Sequence, residues 1–323
     1  MRKIRLVFAS LAVLTLATEI ALRFGVGLGD PPLARLDPAT EYELVPGARY
    51  RRWGNTITVN AAGMRTRDHS AFPGETERRV LLIGDSVIYG NHFLDQSETI
   101  AAALEQKLAG VANLAGCTFL ALPMAVSSWG PENQAAFLAR ERTFGSEAAA
   151  IVLSAHDLYD VPEHRPDLLP YRLTGSRTAI GDALEIVWER LWPPQPPHNR
   201  LPLEARARRS LVALDAMRTQ LIAAGIQPVI VYHPTQPERT GKVAKTERDR
   251  FRDWAETRGL QFVDLGAEIT AQGGYRDAIH PDPAGADRIA SVLADKLGAG
   301  LRGCTAQAST DTDLTQAGNA SVN

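Results

Sequence analysis

Between residues 78 and 302 short apolar runs alternate with longer amphipathic ones. The runs 79–84, 117–122, 148–154, 227–232 and 261–264 are too short for helices and close to uninterrupted in apolar character. They predict five buried strands. Segments 96–108, 132–142, 204–224, 247–258 and 283–297 carry the three-to-four spacing of helices with one apolar face. Such alternation predicts an α/β domain with a parallel sheet covered on both faces, and a ligand site beyond the C-terminal strand ends.

The rest of the chain follows other patterns. Arg2, Lys3 and Arg5 precede an uncharged run, 6–18, followed by Glu19, Arg23 and apolar residues to Leu28. A cationic flank before an apolar segment is an export signal that leaves the N-terminus in the cytoplasm. The run 6–18 alone has signal-peptide length, whereas 4–28 spans a bilayer if Glu19 and Arg23, one helical turn apart, pair. No strong small-x-small cleavage site precedes Glu19. We therefore expect an uncleaved anchor in segment 1–28, with a cleaved signal peptide as the alternative and the remaining chain outside the cytoplasm. Residues 29–77 read as a Pro/Gly-rich linker and a small β appendage. In it the alternating stretch 53–60 forms a strand or hairpin closed by the turn Ala61-Ala62-Gly63. A Pro-rich insertion, 158–203, interrupts the main domain around a short helix at 179–190, and insertions of this length serve as lids or binding loops. The tail 303–323 is polar and small, and we expect it to be disordered.

Composition narrows the function classes. The 323 residues are 45% hydrophobic and 22% charged, ordinary for a chain with a substantial core, and the net charge of -2 argues against a nucleic-acid partner. The short run Arg206-Ala207-Arg208-Arg209 fits a solvated helix face. Of the two cysteines, Cys117 lies in a predicted strand and reads as a buried thiol, the alternative being one disulfide with Cys304. No Cys/His spacing forms a zinc site, and neither a metal nor an organic cofactor is implied. Oligomeric state is not legible.

Two short stretches carry the chemistry. The first strand ends abruptly in Gly84-Asp85-Ser86, and the chain later reads Asp277-Ala278-Ile279-His280-Pro281-Asp282-Pro283. Together they hold a hydroxyl, an imidazole and a carboxylate. A serine is a weak nucleophile until a base takes its proton, and the base needs a third group to fix its tautomer. Asp282 ahead of Pro283 has the position of a helix cap, which leaves Asp277 for the imidazole. Other polar groups fall at strand ends: Ser127–Gly130, His156-Asp157 and His233. Asp157 and His233 are expected to be structural. Trp129 and Trp192 are candidates for an apolar or sugar-stacking wall, and Asn55 and Arg65 for reaching the cleft.

These residues resemble the SGNH (GDSL-type) hydrolase superfamily. Gly84-Asp85-Ser86 is similar to its first block and Asp277-Ala278-Ile279-His280 to its last, Asp-x-x-His, and the resemblance covers about 78–298. It implies a three-layer α/β/α, flavodoxin-like sandwich with Ser86, His280 and Asp277 as the triad. The family's oxyanion is held by the serine N–H, a glycine N–H and an asparagine side chain. The middle blocks depart from that pattern. Gly130, in Ser127-Ser128-Trp129-Gly130, is the preferred match for the glycine, with Ser128 as competitor. His156, in Ser154-Ala155-His156-Asp157, stands where the asparagine is expected. A neutral imidazole still has one N–H to donate. The Ser-x-His-Asp and Ser-Trp-Gly-Pro segments resemble those of exported bacterial members.

The resemblance implies an ester hydrolase working through an acyl-serine. Export suggests an acetyl or acyl ester on an extracytoplasmic polysaccharide or glycan, with the inner membrane as the partner of the N-terminal segment. Two rivals share the sequence features: an acyltransferase that O-acylates a polysaccharide, and a non-catalytic glycan-binding domain.

Overall fold

The computed structural model describes residues 2–165, 171–176, 178–192, 201–269 and 273–304. From the N-terminus, α1 (Arg2–Ile20) continues into a π-helical turn, Ala21–Val26. No residue of α1 is buried, and Arg2–Val26 is the one helix among the described residues long and apolar enough to cross a membrane. The Arg23 guanidinium meets Glu19 at 2.9 Å, the i,i+4 pairing that the spacing anticipates.

Two antiparallel hairpins follow. The first joins β1 (Ala34–Asp37) to β2 (Glu41–Leu44), where the sequence had suggested linker. Its turn is held by the Asp37 carboxylate, which accepts from the amides of Ala39 and Thr40 at 2.8 Å each. A side chain that closes its own turn lets four-residue strands form in a Pro-rich stretch. The second joins β3 (Arg49–Arg52) to β4 (Asn55–Thr58) through Trp53-Gly54, with φ of 53° and 86°. Two successive positive φ values match the right-handed twist of a tight hairpin.

The remaining elements are β5 (Glu77–Gly84), α2 (Ser86–Tyr89), α3 (Ile100–Ala109), β6 (Thr118–Ala125), α4 (Pro131–Glu141) and β7 (Ala148–Leu153). After them come α5 (Ala179–Leu191), α6 (Leu203–Ala223), β8 (Val229–Tyr232), α7 (Gln236–Arg239), α8 (Thr246–Glu256), β9 (Phe262–Asp264), α9 (Leu265–Glu268) and α10 (Pro283–Gly298). The five expected strands form one parallel sheet in the order β6-β5-β7-β8-β9. All six residues of β7 are buried, as an uninterrupted apolar run requires. Pro123 is tolerated because β6 is an edge strand, where a missing N–H breaks no ladder.

The crossover helices pack in two groups, α10 returning onto α3 and α6 lying against α4, one group on each face of the sheet. The strand order switches sides between the parallel strands β5 and β7, β6 being added on one side and β7, β8 and β9 on the other, so the carboxyl ends of β5 and β7 border a crevice. Gly84 closes β5 where a Cβ would stand 2.8 Å from the Ile88 side chain and 3.2 Å from the Val152 carbonyl oxygen.

The cysteines correct an expectation. Cys117 and Cys304 form a disulfide across 187 residues. Cys117 lies just ahead of β6 rather than within it, at a half-buried position that the end of the chain reaches. In the insertion, α5 lies where its spacing predicts, whereas Pro166, Pro170, the prolines of 193–197 and the tail 305–323 fall outside the described residues.

Candidate active site

Ser86 is the first residue of α2, immediately after β5, and Asp85 caps that helix by accepting from the Val87 amide at 2.9 Å. The turn aims the Ser86 hydroxyl over the sheet edge. Its Oγ lies 3.0 Å from His280 Nε2, although the two residues are 194 positions apart. His280 Nδ1 in turn lies 2.8 Å from Asp277 Oδ2. The other oxygen, Asp277 Oδ1, accepts from the amides of Ile279 and His280 at 2.9 Å each. Burial pushes the Asp277 carboxyl up, but those two amides and the ring outweigh it and hold the group below its ordinary range. A carboxylate on Nδ1 fixes the proton there and leaves Nε2 to accept from the serine.

The loop carrying Asp277 and His280 is pinned from behind. His233 Nε2 lies 2.8 Å from the Ile279 carbonyl oxygen, and the Gln236 amide donates to the Ala278 carbonyl at 2.7 Å. Burial lowers the His233 imidazole from its ordinary value, so it is a neutral structural group. Asp282 caps α10 by accepting from the Gly285 amide at 2.7 Å, as its position before Pro283 suggests.

Two expected oxyanion donors are engaged elsewhere. The Gly130 amide donates to Asn133 Oδ1 at 3.1 Å, and Gly130 is needed for another reason: a Cβ there would meet the Asp160 carbonyl oxygen at 1.9 Å. Ser128, the competitor, lines the cleft with a φ of 59°. His156 also lines the cleft, but its Nε2 lies 2.8 Å from Asp85 Oδ2. Burial alone would lower its pKa; the carboxyls of Asp157, Asp85 and Asp160 overcome this and raise it to about 10. The ring is therefore an imidazolium at neutral pH rather than the neutral donor the sequence had suggested. Its charge and the Val87 amide keep Asp85 ionised against burial. Burial beside the Asp85 charge drives the Asp157 carboxyl upward, and burial raises Asp160 to about 6.

Asp85, His156 and Asp157 bring ligand atoms within 4.8 Å of one another. Hydrogen bonds account for this cluster, since Asp157 Oδ2 accepts from the Ser154 amide at 2.6 Å and His156 is paired with Asp85. A cation would have to displace the proton that the imidazolium holds.

Asn91 is the residue that sequence reasoning missed. Its Nδ2 lies 3.2 Å from His280 Nε2, and its Oδ1 takes a short hydrogen bond from the Ser127 hydroxyl. That bond orients the carboxamide, so its N–H₂ faces the serine–histidine pair. Ser127 is itself held, with its carbonyl accepting from Tyr42 Oη at 2.6 Å and its amide donating to Tyr171 Oη at 3.3 Å. Asn91 has a φ of 46°, a left-handed conformation that Asn tolerates better than most residues. The pair Gly90-Asn91 after an apolar run is a turn signature that could have drawn attention to it. Arg65 does not enter the cleft; it is buried and donates to the carbonyls of Tyr89 at 2.9 Å and Leu94 at 2.7 Å, clamping the loop that bears Asn91. Asn55 holds the same loop through the His92 carbonyl at 3.0 Å.

Ser86, His280, Asn91, Ser127, Ser128 and His156 line a cleft of about 630 Å³, together with Trp53, Arg52, Tyr171 and Ile186. Trp129 is not part of it: buried in the core, it donates Nε1–H to the Tyr42 carbonyl at 2.9 Å. Trp192 is exposed and stacks on Trp188, with ring centroids 4.3 Å apart.

No protein-family model matches the sequence, and neither does any curated protein. Among solved structures the chain is similar to a lipase/acylhydrolase from Enterococcus faecalis, at 13% identity over 68% of this chain and 97% of that one, with a TM-score of 0.40. It is similar also to Est24, a carbohydrate acetylesterase from Sinorhizobium meliloti, at 14% identity over 68% and 97%, with a TM-score of 0.39. A third is a family two carbohydrate esterase from Clostridium thermocellum in complex with cellohexaose, at 12% identity over 69% and 64%, with a TM-score of 0.39.

Proposed function

We propose that this chain is an SGNH-type serine hydrolase that cleaves a carboxylic ester. The observation that carries the reading is the pair of hydrogen bonds from Ser86 Oγ to His280 Nε2, 3.0 Å, and from His280 Nδ1 to Asp277 Oδ2, 2.8 Å. His280 takes the Ser86 proton as Oγ attacks the acyl carbon, and Asp277 stabilises the imidazolium that results. His280 then passes the proton to the leaving alcohol, giving an acyl-serine that water resolves by the reverse sequence.

The developing oxyanion needs donors already in place. The Ser86 amide is the first of α2, where no intrahelical carbonyl can reach it. We assign the second donor to Asn91 Nδ2, in the role the family gives to an asparagine of the third block. The Ser128 amide takes the place expected of Gly130. The His156 imidazolium adds positive potential at the wall and keeps the Asp85 carboxylate, 3.3 Å from Ser86 Oγ, from drawing the hydroxyl away from His280.

For the substrate we favour an acetyl or short acyl ester on an extracytoplasmic glycan, with the cleft on the periplasmic side of the membrane. The cationic flank before α1 and the aromatic and arginine walls of the cleft support this. The test is release of nitrophenol from nitrophenyl acetate by the full chain, with and without a glycan acceptor. Turnover that Ser86→Ala abolishes is expected. Acetyl transfer to the acceptor in preference to water would make the enzyme an acyltransferase, equal turnover by Ser86→Ala would remove Ser86 as the nucleophile, and no release by the parent above the buffer rate would leave only a glycan-binding role.

A further inference from the structure

On α5 the apolar residues point the wrong way for a soluble protein. Leu184, Val187, Trp188, Leu191 and Trp192 recur at the spacing of one helix face, yet they are 53–65% exposed. In a globular fold such a stripe is turned to the core. Here the opposite face is fixed inward: buried Asp182 binds the Arg52 guanidinium and accepts from the Gly29 amide at 2.8 Å, and Arg172 reaches Glu189 at 2.9 Å. The outward stripe is therefore set by ion pairs on its back.

The same helix is tied to the candidate membrane span. Glu19 accepts from the Ala179 and Ile180 amides at 2.8 and 3.0 Å, so the end of α1 caps the start of α5. At 1.5 Å per residue the 25-residue span reaches roughly 37 Å, beyond a hydrocarbon core of about 30 Å. Its last turn then lies at headgroup depth, where Phe24 is exposed and α5 begins. The tip of the second hairpin is attached at the same level, with the Gly54 amide on the Val26 carbonyl at 3.3 Å and Arg51 on the Phe24 carbonyl at 2.8 Å. Trp53 at that tip and Ile186 on α5 both line the cleft. Tryptophans at an apolar–polar boundary are what a bilayer interface favours.

We propose that α5 is an interfacial helix whose apolar stripe lies in the bilayer that α1 crosses, holding the cleft mouth at the lipid surface. The cleft then takes an ester carried by a membrane-borne amphiphile; this clause rests on the hydrolase reading, whereas the docking of α5 does not. The test uses the full chain in nanodiscs of phosphatidylcholine and phosphatidylglycerol with brominated acyl chains. Bromine is expected to quench tryptophan emission, and in a Trp53→Phe background Trp188→Phe/Trp192→Phe is expected to remove most of that quenching, since the remaining Trp129 and Trp254 are buried in the core. Equal quenching in parent and variant, or none in either, overturns the docking, as does protection of α5 seen only when two chains share a disc. In the same discs Leu184→Glu/Leu191→Glu is expected to keep turnover of soluble nitrophenyl acetate and to slow that of a bilayer-embedded acyl ester about tenfold or more, the scale of two lost leucine contacts. Equal loss on both esters overturns the substrate clause. Absence of all turnover by the parent chain counts against the hydrolase reading alone.

Discussion

Two histidine–aspartate pairs flank one serine, and they differ in what surrounds them. His280 and Asp277 sit on a surface loop, with side chains 20% and 43% exposed, and the histidine has one carboxylate partner. His156, itself 36% exposed, faces an Asp85 that is only 2% exposed, with Asp157 and Asp160 close behind, so it is the carboxylate side of this pair that is buried. Both pairs close at 2.8 Å. In the first, a single carboxylate holds Nδ1 and leaves Nε2 against the serine hydroxyl, the geometry of a base. The second is an ion pair, because the buried Asp85 carboxylate, lowered from its ordinary value, faces a ring raised to about 10. Distance alone would not tell the base from the scaffold; the charge around each ring does.

The largest effect expected is at the exposed pair. Ser86→Ala or His280→Ala lowers kcat for nitrophenyl acetate on the order of 10⁴-fold or more, and the double variant is no worse than either single, because the two act as a unit. Asp277→Asn leaves the ring in the wrong tautomer and costs on the order of 10⁴-fold in kcat with KM little changed. Removing the proposed oxyanion donor by Asn91→Ala costs about 10²-fold, again in kcat, with thermal stability retained.

The buried pair should speak through stability instead. The folded-state pKa of His156 is raised from 6.5 to about 10, so its contribution is fully present below pH 6.5 and lost as pH rises to about 10. His156→Gln is expected to be less stable than the parent in urea at pH 6, with the difference shrinking to nothing by about pH 10. A difference that grows with pH would reverse the assignment. The smallest effect expected is at the disulfide. Cys117→Ser/Cys304→Ser lowers stability by about 2–4 kcal/mol without changing kcat, because the cross-link lies at the N-terminal end of β6, far from the strand ends that bear the serine.

The sheet was legible because each buried strand is a short apolar run closed by a polar turn, and Ser86 was legible as the residue after the first. Asp277 and His280 were legible as a local pair whose spacing lets one loop hold both. What sequence could not show was competition for donors and protons. Gly130 has the place of an oxyanion glycine, but its glycine serves the Asp160 carbonyl and its amide serves Asn133. His156 has the place of a neutral donor, but besides its sequence neighbours Asp157 and Asp160 it has Asp85, which only folding brings across 71 positions. Asn91 gains its role from the Ser127 hydroxyl across 36 positions, a contact that no local pattern encodes. The first hairpin was hidden by prolines that its Asp37 turn accommodates.

The most direct measurement is covalent labelling of the full chain with a fluorophosphonate, with the modified residue located by mass spectrometry. The account predicts a label on Ser86 in the parent and in His156→Gln, and none in His280→Ala. A label that survives His280→Ala but is lost in His156→Gln, or that falls on another residue, would contradict it.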